Sequence, residues 1–341
     1  MRANGLDAVA RAEDISVAGL TEVLFALPRI LRIMRNLTRA VAVRRPAVAV
    51  LLDLPDFNLR LAKKIKKLGI PVLYYISPQV WAWRQSRVEQ IRSLVDRMLV
   101  ILPFEAEFFQ SRGVPAEFVG HPLVEALAHI PSARTARQSL GIEASASPVV
   151  ALLPGSRRKE ITRHLPVMLR SLPALRESFP HLTAVIPVAS TVAPGLIARY
   201  LKAAPVQPQI VQGRATEVLA ACDVAVICSG TATLQAGLIN RPMVVIYRVS
   251  FLTFHIVKRL VKVAFITIIN LIAGHQVVRE LIQSDCTPAN IAAEVTRLLN
   301  DRAAATAVTD ELGKLRSQLG QSSASQKVAE RILSYVPSGA K

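Results

Sequence analysis

Short, continuous apolar runs alternate with segments of helical periodicity along most of the chain. The run AVAVLLD (Ala47 to Asp53) is β-branched and apolar, as expected of a strand buried on both faces, and Pro55 marks the turn after it. A helix is predicted from Phe57 to Leu68, ending before Gly69. Strand-like PVLYYIS (71–77), a helix beginning near Arg84, strand-like RMLVIL (97–102), a short helix from Phe104 and AEFVGHP (116–122) follow. This alternation argues for a parallel sheet with helices on both faces. Ahead of it, Leu27, Ile30, Leu31, Met34, Leu37 and Val41 recur at helical spacing, with Arg29, Arg32, Arg35 and Arg39 between them. That is an amphipathic helix, its arginine face either solvated or turned to a membrane or anionic ligand.

The polar, Ala/Ser-rich stretch from Ile130 to Ser147 interrupts the pattern, which places a domain junction there. A second alternation runs through PVVALLPGSR (148–157), LTAVIPVA (182–189), PQIVQG (208–213), DVAVICSGTATLQAGL and PMVVIY. The expected organisation is a first Rossmann-like domain over residues 1–135, a second over 136–320, and a C-terminal helix and tail over 321–341. A helical pattern after Pro288 puts Ile291, Val295, Leu298 and Leu299 on one face.

With 341 residues, 51% of them hydrophobic and 19% charged, the chain has apolar material for roughly two domains. A net charge of +18 favours anionic partners: nucleic acid, an acidic membrane surface or phosphorylated substrates. An RNP, KH or zinc-finger pattern is missing and aromatic content is only 5%, so nucleic acid is not an expected partner. Three cysteines without metal-ligand spacing fit a reducing cytoplasm, and the opening residues carry no basic n-region followed by an apolar core, so a secretory signal is not expected. Mean hydropathy is high, +0.35. Its most apolar stretch, Phe251 to Gly274, is broken by Lys258, Arg259 and Lys262, which suits a surface-lying or buried segment better than a transmembrane span.

In open α/β sheets ligands bind at the carboxyl ends of the strands, so the residues there carry the candidate chemistry. Asp53 ends the first strand and could act as a general base, while Asp56 could cap the next helix. In LLPGSRRKE, Pro154 and Gly155 permit a tight turn, and Arg157 sits beside amides suited to a phosphate, with Glu160 expected in a solvated first turn. In CSGTATLQAGL, Gly230 exposes the first amides of a helix, so the Ser229-Gly230-Thr231 turn is a candidate diphosphate seat. Trp81 and Trp83, beside Arg84 and Arg87, suit a sugar or an acyl-bearing phosphate, or alternatively packing. The six histidines lack paired-ligand spacing, and GxSxG, P-loop and GxGxxG patterns are missing. Metal, hydrolase, kinase and dehydrogenase chemistry all weaken accordingly.

The segments LLDLPDFNLRLAKK, YYISPQVWAWRQSRV, LPFEAEFF, FVGHPL, LLPGSRRKE, SGTATLQAGL, VIYRVSFLTFHIVKRLVK and NLIAGHQVVRELIQ occur in one order. Together they resemble the lipid-A-disaccharide synthase family from Met1 to about Leu333. The resemblance implies a GT-B fold, two Rossmann-like domains with parallel sheets facing a cleft, and a hexosyltransferase of lipid A and lipopolysaccharide biosynthesis in Gram-negative bacteria that needs neither metal nor cofactor. Donor and acceptor would be UDP-2,3-diacylglucosamine and 2,3-diacylglucosamine 1-phosphate, giving lipid A disaccharide 1-phosphate and UDP.

Carried over by motif, Asp53 matches the base that activates the acceptor hydroxyl. Arg157, Ser229, Gly230, Thr231, Gln235 and Asn270 match the UDP-sugar site. Asp56, Trp81, Trp83, Arg84, Lys258, Arg259 and Lys262 are acceptor- or lipid-side candidates. A cytoplasmic enzyme, peripheral on the inner membrane, and a homodimer paired through C-terminal segments are further expectations. Family members begin with a strand, a GE-x-SGD turn and a helix ahead of where this chain starts, so an N-terminally truncated first domain is expected, the alternative function being a remnant that binds nucleotide or lipid without transfer. Gln235 stands where the family usually has glutamate. Ile268-Ile269-Asn270 replaces a Leu-Pro-Asn turn, which is expected to loosen the loop presenting Asn270.

Overall fold

The apolar runs become the strands of two all-parallel sheets in a computed structural model that describes residues 7–10, 20–143, 145–250, 253–255, 259, 261, 263–320 and 323–337. By contact the chain divides into two compact units, Met1–His121 with Ser323–Lys341, and Pro122–Ser322.

In the first unit, β1 (Ala49–Leu52), β2 (Val72–Tyr75), β3 (Arg97–Val100) and β4 (Ala116–Phe118) lie in sequence order. One face is packed by Phe57, Leu61 and Ile65 of the helix Pro55–Lys66, together with Ile33 and Met34 of the long helix Leu20–Arg44. Leu27 and Leu31 of that long helix stay exposed, as do Arg32, Arg35 and Arg39. The other face is covered by the C-terminal helix Ala324–Leu333, whose Val328 packs with Leu73, Leu99 and Val119. Arg331 of this helix pairs with Glu117 of β4 at 2.8 Å.

The register corrects the expectation for β1. Val50 and Leu52 pair with Leu73 and Tyr75 and share their face, yet they remain 39% and 43% exposed. Leu51, on the opposite face, is buried. The strand is therefore covered on one face only, because the C-terminal helix covers β2 and β3 and, among the described residues, nothing extends that layer over β1.

In the second unit the order is β10-β9-β8-β5-β6-β7. The strands are β5 (Val149–Leu153), β6 (Thr183–Val188), β7 (Gln209–Gln212), β8 (Val224–Cys228), β9 (Met243–Tyr247) and β10 (Arg279–Ile282). Every residue of β5 and β8 is buried, which is why their sequences are continuous rather than alternating. The winding reverses between β5 and β8. At such a reversal the connections leave in opposite directions and a crevice opens beyond the carboxyl ends of the two strands.

The unit boundary falls after His121, earlier than the junction expected at 135/136. The short helix Pro122–Ala126 packs against the helix Thr231–Leu238, and Arg137 ties the helix Ala133–Ser139 to the same unit by donating to both carboxylate oxygens of Asp223 at 2.8 Å and to the Ala221 carbonyl at 2.9 Å. The C-terminal helix, in turn, is part of the first unit rather than a separate tail. No helix among the described residues is long and apolar enough to cross a membrane.

Candidate functional site

Two turns meet at the reversal point of the second sheet. After β5, Gly155 has φ +110°, and a Cβ there would lie 2.6 Å from the Cβ of Glu160, so only glycine fits. Glu160 is the third residue of the helix Arg158–Ser178 and folds back over the turn. One of its carboxylate oxygens accepts from the amides of Ser156 (3.0 Å) and Arg157 (3.1 Å), and the other from the Arg157 guanidinium (2.7 Å). These amides were expected to be free for a phosphate and Glu160 to be solvated; both expectations are corrected, since the capping carboxylate already satisfies the donors. Arg157 itself remains 72% exposed along its side chain.

After β8, the Ser229 amide donates to the Ile246 carbonyl (3.0 Å), which carries the β8–β9 pairing one residue further. Gly230 precedes the helix Thr231–Leu238, and its carbonyl accepts from the amide and hydroxyl of Thr233. Among the described residues the amides of Thr231 and Ala232 have no acceptor, as expected of a first helical turn. They open on a pocket of about 470 Å³ lined by both turns, Gly155 to Arg157 and Ser229 to Ala232. Unpaired first-turn amides with a helix dipole behind them attract an anion. Burial pushes the Cys228 thiol up to about 12, so a thiolate nucleophile is not available in this pocket.

In the first unit the strand ends carry backbone strain. Asp53 (φ 49°) and Leu54 (φ 45°) after β1, and Ile76 (φ 61°) after β2, all lie in the left-handed region without being glycine. Such residues cost of order 1–3 kcal/mol each and concentrate where a side chain must be aimed. Asp53 is exposed, and among the described residues its carboxylate has no protein partner. Asp56 does not cap a helix: the helix starts at Pro55, and Asp56 pairs with Arg87 at 2.6 Å.

The tryptophan segment separates into two roles. Trp81 is buried, packs edge-on against Phe104 (ring centroids 5.0 Å) and donates from Nε1 to Glu105 (2.9 Å). Trp83 is exposed, with the Arg84 guanidinium over its ring at 4.0 Å, a planar surface open to solvent. Glu105, which the sequence reading passed over, also accepts from the Ser77 hydroxyl (2.6 Å) and the amides of Ile101 and Leu102. Burial pushes its carboxyl up, against four donors that favour the ionised form. A leucine-proline pair with glutamate at the third helical position is the signal that could have found it.

Residues 1–333 match the family model described as lipid-A-disaccharide synthetase. The chain belongs to that family. Lipid-A-disaccharide synthase of Anaeromyxobacter dehalogenans is 50% identical over 98% of this chain and 87% of its own length, and that of Myxococcus xanthus 47% identical over 99% and 88%. Among solved structures, UDP-GlcNAc 2-epimerase from Neisseria meningitidis bound to UDP-GlcNAc is similar with TM-score 0.62 at 13% identity, covering 89% of this chain and 82% of that one. The glycotransferase of kitacinnamycin gives 0.63 at 18%, covering 98% and 88%. Fold and family agree: this is a GT-B glycosyltransferase of lipid A biosynthesis.

Family membership makes the remaining motif residues informative. Gln235 lies one turn beyond Thr231 and donates to the Thr216 hydroxyl at 2.6 Å. Asn270 does not present its amide to a ligand. It is 0% exposed, its nitrogen donates to the Val278 carbonyl and Glu280 (2.9 Å each), and its oxygen accepts from the amides of Val277 (2.8 Å) and Val278 (3.0 Å). All four hydrogen-bonding positions of the amide are filled. Nor is the segment loosened by the missing proline, since Thr267 caps the helix Ile268–Ala273 and is itself held by Glu280. Arg259 is exposed, and Lys258 and Lys262 lie outside the described residues.

Proposed function

We propose that the chain transfers 2,3-diacylglucosamine from UDP-2,3-diacylglucosamine to the 6-hydroxyl of 2,3-diacylglucosamine 1-phosphate. The observation that carries this reading is the pocket at the β5/β8 reversal, where the Thr231 and Ala232 amides and the exposed Arg157 guanidinium converge. The UDP diphosphate takes the unpaired amides of Thr231 and Ala232 at the Ser229-Gly230-Thr231 turn, and Arg157 exchanges Glu160 for phosphate oxygens. Gln235 offers its amide oxygen to a ribose hydroxyl. As the acceptor oxygen bonds to the anomeric carbon, the bond from that carbon to the diphosphate oxygen breaks and UDP leaves with the electron pair. Asp53 takes the hydroxyl proton. Amides and a helix dipole stabilise the leaving diphosphate without rearranging, which is the largest contribution such a site makes to rate.

Trp83 and Arg84 suit the acceptor sugar and its phosphate. A peripheral membrane location is part of the same proposal: Leu27 and Leu31 are exposed beside Arg32 and Arg35 on one long helix, an apolar and cationic surface suited to anionic lipid. UDP release from the two acylated substrates is the test. Release that disappears with Asp53→Asn and Arg157→Ala is the expected result; no release from the folded protein with both substrates present would sink the reading.

A further inference from the structure

Side chains along β1 alternate, with Val50 and Leu52 exposed and Leu51 buried. An extended residue 53 would share the face of Leu51 and point into the core. The chain instead turns through two consecutive left-handed residues, Asp53 and Leu54, and this brings the Asp53 carboxylate out to solvent. Left-handed backbone is costly for an L-residue, and glycine, which would remove the cost, is not used at either position. Something in the tertiary structure must hold this backbone.

Two side chains do. The amide nitrogen of Asn58, on the helix that follows, donates to the carbonyls of Leu52 (2.9 Å) and Asp53 (2.7 Å). The phenol of Tyr74, from the neighbouring strand β2, donates to the same Asp53 carbonyl at 2.5 Å. Asn58 is 7% exposed and Tyr74 is fully buried, so the donor side chains of these three bonds are shielded from water. Burial pushes the Tyr74 phenol up, which keeps it a donor across the physiological range. Three hydrogen bonds thus fall on the two carbonyls flanking the first strained residue, two of them on Asp53 itself.

We infer that Asn58, seconded by Tyr74, is a positioning residue that fixes the direction of the Asp53 carboxylate by clamping the left-handed turn beneath it. The inference rests on the reading of Asp53 as the base that takes the acceptor proton. Asn58 touches no substrate; it acts through the backbone of residue 53.

Steady-state kinetics on the full chain test it, with circular dichroism melting to confirm folding. Asn58→Ala is expected to lower kcat about tenfold or more with KM changed less than about twofold, since loss of aim raises the barrier without removing a binding contact. Leu54→Gly lowers the cost of the left-handed turn, so the double variant should recover most of the lost kcat. Tyr74→Phe removes one hydroxyl and should lower kcat about threefold, as expected for one of two donors; it carries the same test if Asn58→Ala does not fold. Unchanged kcat in folded Asn58→Ala or Tyr74→Phe, alongside an inactive Asp53→Asn, would overturn the clamp and leave the base reading standing. A loss in Asn58→Ala that Leu54→Gly leaves untouched would also overturn it. Full activity in Asp53→Asn would remove the base reading and the clamp with it.

Discussion

Asn270 and Glu280 are joined by a 2.9 Å hydrogen bond in the interior of the second unit, and the same carboxylate accepts from the amides of Ile266 and Thr267. One polar cluster therefore holds both ends of the segment from Ile266 to Glu280, and the Asn270 amide is spent on protein contacts rather than on a ligand.

Replacing Asn270 by alanine leaves the amides of Val277 and Val278 without their acceptor. The expected cost is about 2–3 kcal/mol of stability, read as a lower chemical-denaturation midpoint. Calorimetry on the folded variant should give a UDP dissociation constant within about threefold of the parent protein; selective loss of UDP affinity with unchanged stability would contradict the structural role.

Gly155→Ala pushes a methyl group into the Glu160 side chain and strains a residue at φ +110°. The turn must open and the Glu160 cap must move. Stability should fall by about 1–3 kcal/mol, and UDP binding should weaken in parallel because the same turn lines the pocket.

Gln235→Glu keeps the partnership with Thr216, whose hydroxyl can rotate from acceptor to donor. A charged acceptor toward the ribose should tighten UDP by about 1–2 kcal/mol, roughly five- to thirtyfold in titration calorimetry. No gain would place the ribose elsewhere.

Burial pushes His121 down to about 4 and lowers His164 as well. Both folded values lie below the ordinary imidazole range near 6.5, so the unfolded chain binds more protons between the two values. For His121 the effect is complete above about pH 6.5 and is lost as pH falls toward 4, by roughly 3 kcal/mol, and His164 adds a loss of the same sign on acidification. Urea titrations from pH 8 to 4 should show this decline, and His121→Gln should flatten part of it.

Trp81→Phe removes a donor from the buried Glu105 and should cost about 1–3 kcal/mol, whereas the exposed Trp83→Ala should stay within about 0.5 kcal/mol. Equal effects on melting would mean that the two rings share one role.

The sequence by itself determined most of the elements, though not the edge strand Arg279–Ile282 or the helix Arg302–Gln318, and with them the two parallel sheets and the family. Each follows from local pattern: continuous apolar runs such as Val149–Leu153 mark strands, and the order of the motifs is carried by the chain itself. The Ser229-Gly230-Thr231 turn was legible as a helix start after a buried strand, but that its Thr231 and Ala232 amides stay unpaired, while those of the similar turn after Gly155 are taken by Glu160, was decided by tertiary structure. Tertiary structure decided which polar groups are free. Glu160 covers the amides beside Arg157, Glu280 and Val278 engage Asn270, and Glu105 takes Trp81 away from any ligand. It also left β1 half-covered, and aimed Asp53 through Asn58 and Tyr74. Hydrogen bonding is short-ranged and saturable, so whether a side chain remains available depends on what folding places within about 3 Å of it, and spacing along the chain does not encode that.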